Sequence, residues 1–493
     1  MATISSAGLG SGLDVTSIVS QLTELERTPI KQLQTEASTL QTKVSSLGSL
    51  KSAVSTLSDA AAKLKDPATW TATTATSGDT SALTVSADSN AAVGSYSIGV
   101  QNLASAQATA SAVFASSGTV IGIGTLSFEI GTYNASLSTF AINPNWPRAD
   151  VEITAADNTL EKVRDKINSA GVGVQASVVT DATGSRLVLR SVATGSANGF
   201  KVSVQDGDGD NTDTAGLSAL AYDPTTQVPI PGSPTNETRA LSNMSSTQKA
   251  DNARVKINGL DIESATNTIS GAVEGLTFKV SKSTTSPVDV SVARDTDSIT
   301  KAITAFATAY SSLNSVIKDQ TKYDATNKKS APLQGDAAAI SIQSRMRAIL
   351  TQSSGASSVY EQLSQIGLAA DANGALSVTS SKLSTALSSN LGEVKKLFAN
   401  ADAIDASKDG FASRFKSFAD SVTGFEGTLT TRTTGLQKRI SDNTKRQAEL
   451  EDRVALYKKR LTQQYNTLDA NMSKISGLGN YVSQQLAALN KTA

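Results

Sequence analysis

From Ile18 onward, apolar residues return every three or four positions: Ile18, Leu22, Leu25, Leu33, Leu40, Val44, Leu47, Leu50, Val54, Leu57, Ala61 and Leu64. That is the period of one helical face, and the extra three-residue step from Leu47 to Leu50 marks a local phase shift in a heptad seam. Asp14 suits an N-cap, Pro29 interrupts the early part of the run, and Asp66-Pro67 closes it. The far end of the chain repeats the pattern through Leu436, Ile440, Leu450, Val454, Tyr457, Leu461, Tyr465, Leu468, Met472, Ile475, Val482, Leu486 and Leu489. Lys438, Arg439, Lys445, Arg446, Glu449, Asp452 and Lys458 to Arg460 occupy its other faces. A third seam, Ile299, Ile303, Phe306, Tyr310, Leu313 and Ile317, keeps four–three spacing, so three helices from distant parts of the chain can share one bundle.

A narrow stripe limits what a long helix gains alone. Each fully buried seam residue contributes roughly 1.5–3 kcal/mol, while ordering a residue costs about 1–2 kcal/mol of backbone entropy. Such a helix is stable when its face meets a partner. Partners within the chain are scarce for the outermost ends, 1–35 and 465–493, which are expected to be mobile in the free monomer and to order on assembly.

Between residues 80 and 295 the period changes to alternation. Leu83 and Val85, then Tyr96, Ile98 and Val100, read as strands. Val255 and Ile257 lead through Asn258-Gly259 to Leu260 and Ile262, a two-residue hairpin signal. Leu276, Phe278 and Val280, then Val288, Val290 and Val292, continue the set. A second β-rich module is inserted within it, with strands at Gly124–Ile130, Val151–Ile153, Val172–Val179, Arg186–Leu189 and Phe200–Val204. Its one helix buries Leu160, Val163 and Ile167 behind a capping box of Asn158 and Glu161. Four prolines make 223–237 an irregular loop.

The fold class is therefore α+β and multidomain: long helical coiled-coil legs built from both chain ends, with nested β-rich head domains inserted between them. The expected divisions are terminal leg segments 1–40 with 455–493 and a helical bundle 41–79 with 294–454. A β-rich domain 80–115 with 244–293 and an inserted β-rich mixed domain 116–243 complete the set.

Composition then removes whole classes of function. The chain has neither cysteine nor histidine, which excludes thiol nucleophiles, disulfides, Cys/His zinc sites and histidine acid–base chemistry. Lysine plus arginine total 44 and aspartate plus glutamate total 44, leaving no basic field for nucleic acid or anionic lipid. No run of 18 apolar residues suggests a membrane span, and the opening residues lack the layout of a cleaved signal peptide. Gly8-Leu9-Gly10-Ser11-Gly12 follows no strand and has no P-loop lysine, so it reads as a leader. Asp206, Asp208 and Asp210 begin like a calcium loop, but Asn211 and Leu217 stand where glycine and a bidentate glutamate belong, so an acidic turn is the better reading. No catalytic, cofactor-binding or metal-ligating set emerges. Trp70 and Trp146 are isolated and read as core or interface anchors.

The segment Ser11 to Ser20, preceded by Gly8-Leu9-Gly10 and followed by Glu26 to Ile30, closely resembles the opening of the flagellar filament cap proteins, also called hook-associated protein 2. Ile366 to Leu368, Asp371 to Leu376, Lys382-Leu383, Ala386-Leu387, Val394 and Leu397-Phe398 resemble that family's C-terminal half. Physically they read as a strand, a turn at Asn373-Gly374, a strand and then helices, the last capped by Asn390 with Glu393. Arg164 to Gly171, Val178-Val179, Asp181 and Thr183 to Arg190 resemble a module shared by flagellins and hook-associated proteins. The resemblance implies a structural protein exported through the flagellar type III channel to the distal tip of the flagellum. There it would form a ring, usually fivefold, that retains exported flagellin and helps it fold and insert. Implied partners are further copies of the chain (most often a pentamer), flagellin, hook-associated junction proteins and an export chaperone, with no cofactor, no nucleic acid and no membrane insertion. Self-assembly and filament contact fall to Ile18, Leu22, Leu25, Leu461, Tyr465, Leu468, Met472, Ile475, Val482, Leu486 and Leu489. The alternatives are a surface adhesin using the β-rich domains, a cytoplasmic coiled-coil scaffold and, last, an enzyme.

Overall fold

The computed structural model describes residues 14–230, 233 and 237–489, the side chain of Leu489 excepted. Among them the α-helices are α1 (Val15–Glu26), α2 (Thr28–Lys65), α3 (Pro67–Thr71), α4 (Leu160–Ala170), α5 (Thr296–Thr321), α6 (Ala337–Thr351), α7 (Ser380–Ala399), α8 (Phe411–Thr423) and α9 (Thr428–Leu489). The chain divides into a helical unit, 1–70 with 296–493, and a β-rich unit, 71–295.

The helical unit is built on α2. Leu47, Leu50, Val54, Leu57, Ala61 and Leu64 are fully buried, and so are Ile299, Ile303, Phe306, Tyr310, Leu313 and Ile317 of α5, the face that their spacing predicts. Asp66 leaves helical geometry before Pro67 and ends α2. Beyond it the Trp70 indole donates to Leu64 O at 2.8 Å and stacks on Phe398 at 6.1 Å. Trp70 thereby seals this end of the core. The helix α8 packs along α2 as extensively as α5 does, a seam not singled out within the expected bundle 294–454. Its Phe411, Phe415, Phe418 and Val422 are buried at four–three–four spacing. Phe415 meets Phe306 at 5.3 Å and Tyr310 at 5.7 Å edge-on, the arrangement that aromatic quadrupoles favour. Asn390 does interrupt α7 (φ −144°), but the Glu393 carboxylate is spent elsewhere. It accepts from Ser357 Oγ at 2.9 Å and Ser358 N at 2.8 Å, and so ties down the loop before Leu363.

The β-rich unit has two cores. In the first, strands 73–77, 288–294, 94–102, 253–257 and 260–264 form one antiparallel sheet, and 268–273, 276–280 and 83–87 form another. Alternation places Ile98, Val100, Val255, Phe278, Val290 and Val292 in the shared core. Asn258 and Gly259 have φ of 49° and 88°, the left-handed pair that a two-residue hairpin needs, and Ile257 faces Leu260 across it. In the second, strand 124–133 pairs with 199–206, 149–153 and 140–142, while 245–248, 108–110, 184–191 and 174–181 make a four-stranded sheet. Leu160, Val163 and Ile167 of α4 enter this core, and the helix ends at Gly171 with φ 63°.

Two local expectations fail. The α4 N-cap is Thr159, not Asn158, whose carbonyl instead accepts from Ile121 N at 2.9 Å. Residues 223–237 are not wholly a loop, because Tyr222–Pro229 is a strand paired with Thr238–Ser242. A register shift between Asp223 and Gln227 takes up Pro224, which cannot donate to a regular ladder.

Candidate assembly helices

The two ends of the helical unit meet as an antiparallel pair. Asp14 caps α1 as expected, its Oδ1 accepting from Ser17 N at 2.9 Å. Pro29 lacks an N–H and stands at the start of α2, so the helix restarts after Arg27. Across the pair, Arg27 Nη2 donates to both Glu451 carboxylate oxygens at 2.6 Å, and this bond raises the guanidinium pKa. Further along, Arg439 donates to Glu36 at 2.9 Å. On the outer surface Lys31 pairs with Glu24, and that hydrogen bond holds the Glu24 carboxyl below its usual range.

Beyond Ile30 the apolar contact is small. Val15, Val19 and Leu461 are buried together, with Leu22, Tyr457 and Tyr465 packed around them. Arg460 lies over the Tyr457 ring at 5.3 Å. The buried face of α1 therefore runs through Val15, Val19 and Thr23, with Leu22 packed at its edge, rather than through Ile18 and Leu25. Ile18 and Leu22 are half-buried and Leu25 is 69% exposed. Sequence spacing carried this alternative too, since Val15, Val19 and Leu22 also follow four–three steps from the Asp14 cap.

On α9, Leu461 and Tyr465 join the pair, but the large apolar side chains further on are exposed. Leu468 is 44% exposed, Ile475 is 63% exposed, and Met472, Leu478, Tyr481, Val482 and Leu486 are likewise exposed. Leu489 lies outside the described side chains. From Tyr465 the spacing runs Leu468, Met472, Ile475, Gly479, Val482, Leu486, a regular heptad seam interrupted only by glycine. It follows a stutter, two successive four-residue steps at Tyr457, Leu461 and Tyr465, which rotates the seam on the helix. The exposed apolar residues of α9 thus begin at Leu468, whereas α1 finds a partner in α9. Residues Gly8 to Gly12 lie outside the described chain.

Nothing else among the described residues competes as a site. No group of His, Cys, Asp or Glu is arranged to hold a metal ion. The Asp206 carboxylate accepts from Ser218 N at 2.7 Å, and Asp208 and Asp210 each accept from a backbone N–H two residues on. No helix among the described residues is long and apolar enough to cross a membrane.

The family description "Flagellar hook-associated protein 2 C-terminus" matches residues 250–477, its N-terminal counterpart matches 11–107, and "Flagellin hook IN motif" matches 139–193. The chain is 31% identical over 427 residues to the B-type flagellar hook-associated protein 2 of Pseudomonas aeruginosa, covering 85% of this chain and 84% of that one. It is 29% identical over 494 residues to flagellar hook-associated protein 2 of Escherichia coli K12, covering 98% of each. Its fold resembles the crystal structure of the flagellar cap protein FliD D1-D2-D3 domains from Escherichia coli, with a TM-score of 0.56 and 27% identity over 80% of this chain and 99% of that one. These relatives give the adhesin reading no support.

Proposed function

The chain belongs to the flagellar hook-associated protein 2 family, and on that premise we propose that it caps the distal tip of the flagellar filament. As a ring of identical copies, most often five, it retains exported flagellin and promotes its folding and insertion. The work is mechanical: a closed tip confines each emerging subunit, and helices ordered by contact release and rebind as the filament grows. No step calls for bond-making chemistry.

The observation that carries this reading is the uncovered apolar seam of α9, Leu468, Met472, Ile475, Val482 and Leu486, on a helix that outruns its partner in the chain. An exposed stripe of this length on a soluble chain marks an interaction surface. Filament contact and self-assembly are assigned to it, to Leu489, to Leu461 and Tyr465, and to Ile18, Leu22 and Leu25 of α1. Leg segments 1–40 with 455–493, the bundle 41–79 with 294–454, and the β-rich domains 80–115 with 244–293 and 116–243 are the proposed divisions of labour. The export route is the flagellar type III channel, with an export chaperone before transit and the hook-associated junction proteins as neighbours at assembly. Deletion of the gene in its host tests the proposal. Soluble flagellin in the medium of cells lacking filaments is expected; normal filaments would refute it.

A further inference from the structure

Apolar packing in the helical unit is not continuous along α2 and α9. The large core ends at Leu40 on α2 and at Leu436 and Ile440 on α9. The next cluster, Val15, Val19 and Leu461, is separate from it. Between them, three–four spacing from Leu436 and Ile440 to Leu450 and Val454 passes through Asn443 and Gln447, where a seam calls for apolar side chains.

Asn443 is not a solvated surface amide: it is 5% exposed. Its Nδ2 donates to Glu36 Oε2 at 3.4 Å, and its Oδ1 accepts from Gln447 Nε2 at 2.5 Å. Arg439 holds the other Glu36 oxygen at 2.9 Å. The layer is thus a connected polar network, buried at its centre and open to water at its rim. Just beyond it Ile30 and Val454 are buried again, and clefts of 460 Å³ and 430 Å³ share Pro29, Leu450 and Arg453.

A buried polar layer contributes little net stabilisation, because its hydrogen bonds replace ones made to water. Apolar burial is what makes neighbouring turns open together, and here it is interrupted. We propose that Asn443, with Gln447 and Glu36, is a built-in boundary across which the distal hairpin, 15–33 with 447–465, opens while the bundle stays closed. The polar layer survives the opening cheaply, since water replaces its partners. The proposal gives the assembly helices their freedom to release and rebind, but its test does not depend on that role.

Hydrogen exchange by mass spectrometry on the full-length monomer tests it. In the native chain, protection is expected to step down between Ile440 and Leu450, with distal amides exchanging at least tenfold faster than those of Leu429 to Ile440. Asn443→Leu replaces the centre of the polar layer with an apolar side chain between Ile440 and Leu450, so distal amides should slow about tenfold while those of α5 stay unchanged. Gln447→Leu should act in the same direction and stands in if the first variant does not fold. Uniform protection from Leu436 through Leu461 in the native chain, or distal protection that stays the same or falls in the leucine variants, would overturn the proposal. Normal capping in cells by leucine variants that show these exchange results would leave the boundary standing and count instead against release and rebinding in the proposed function.

Discussion

Replacing Leu468 and Ile475 together by aspartate separates folding from assembly. Both side chains already face solvent in the free chain, at 44% and 63% exposure. Substitution at such positions changes folding stability by less than about 0.5 kcal/mol. Assembly is another matter. Full burial of a leucine or isoleucine is worth about 1.5–3 kcal/mol, and roughly half of that remains to be gained at each site, so about 1.5–3 kcal/mol is lost per subunit contact. That corresponds to roughly ten- to hundredfold weaker contact, before the added cost of removing two carboxylates from water. The variant is expressed in a strain lacking the gene, with swimming, filament number and flagellin in the medium as readouts, and the purified protein is melted by circular dichroism. Unchanged melting with flagellin lost to the medium is expected. Normal filaments would refute the assignment of this seam, and a melting point lowered by several degrees would show that the side chains serve the fold instead.

Phe415→Ala empties the centre of the aromatic cluster and should cost about 3–5 kcal/mol in urea unfolding, whereas Phe415→Leu should recover most of it. Glu393 is held down to about 2 from 4.5, first by Lys396 and then by Ser358 and Ser357. A depressed carboxylate stabilises above its unfolded pKa and loses that contribution as pH falls towards the folded one. Protection of the 353–366 loop, taken relative to the intrinsic exchange rate at each pH, should therefore fall as pH drops from about 4.5 to about 2, and Glu393→Gln should lower it already at neutral pH. Replacing 71–295 with a short flexible linker should leave the helical unit melting cooperatively, because its core draws only on residues before 71 and after 295; a molten product would refute that independence.

The regular repeats were legible because they are local. The α5 seam and the strand alternation around Asn258-Gly259 follow from residue spacing alone, and the buried positions agree with it. The assembly helices were legible as helices, α9 in phase from Leu436 to Tyr465 and α1 out of phase. The Phe411–Val422 helix carried a readable spacing that the flanking glycines and short length concealed. The strand after Tyr222 was hidden by Pro224, since a bulge that admits proline depends on the partner strand and leaves no mark on the proline itself. The Asn443 layer appeared only as a gap between Ile440 and Leu450.

Period, amphipathicity, caps and turns are therefore properties of the amino-acid order, because each depends on neighbours within one or two turns of chain. The order also excluded cysteine and histidine chemistry outright. Which face of α1 is covered, whether Asn443 meets water or Glu36, and where α9 runs out of partner depend on residues hundreds of positions away. Several faces of a helix can satisfy the same local spacing, and only the packing of α1 and α2 on α9 selects Val15 and Val19 for burial and leaves Leu468 to Leu486 uncovered.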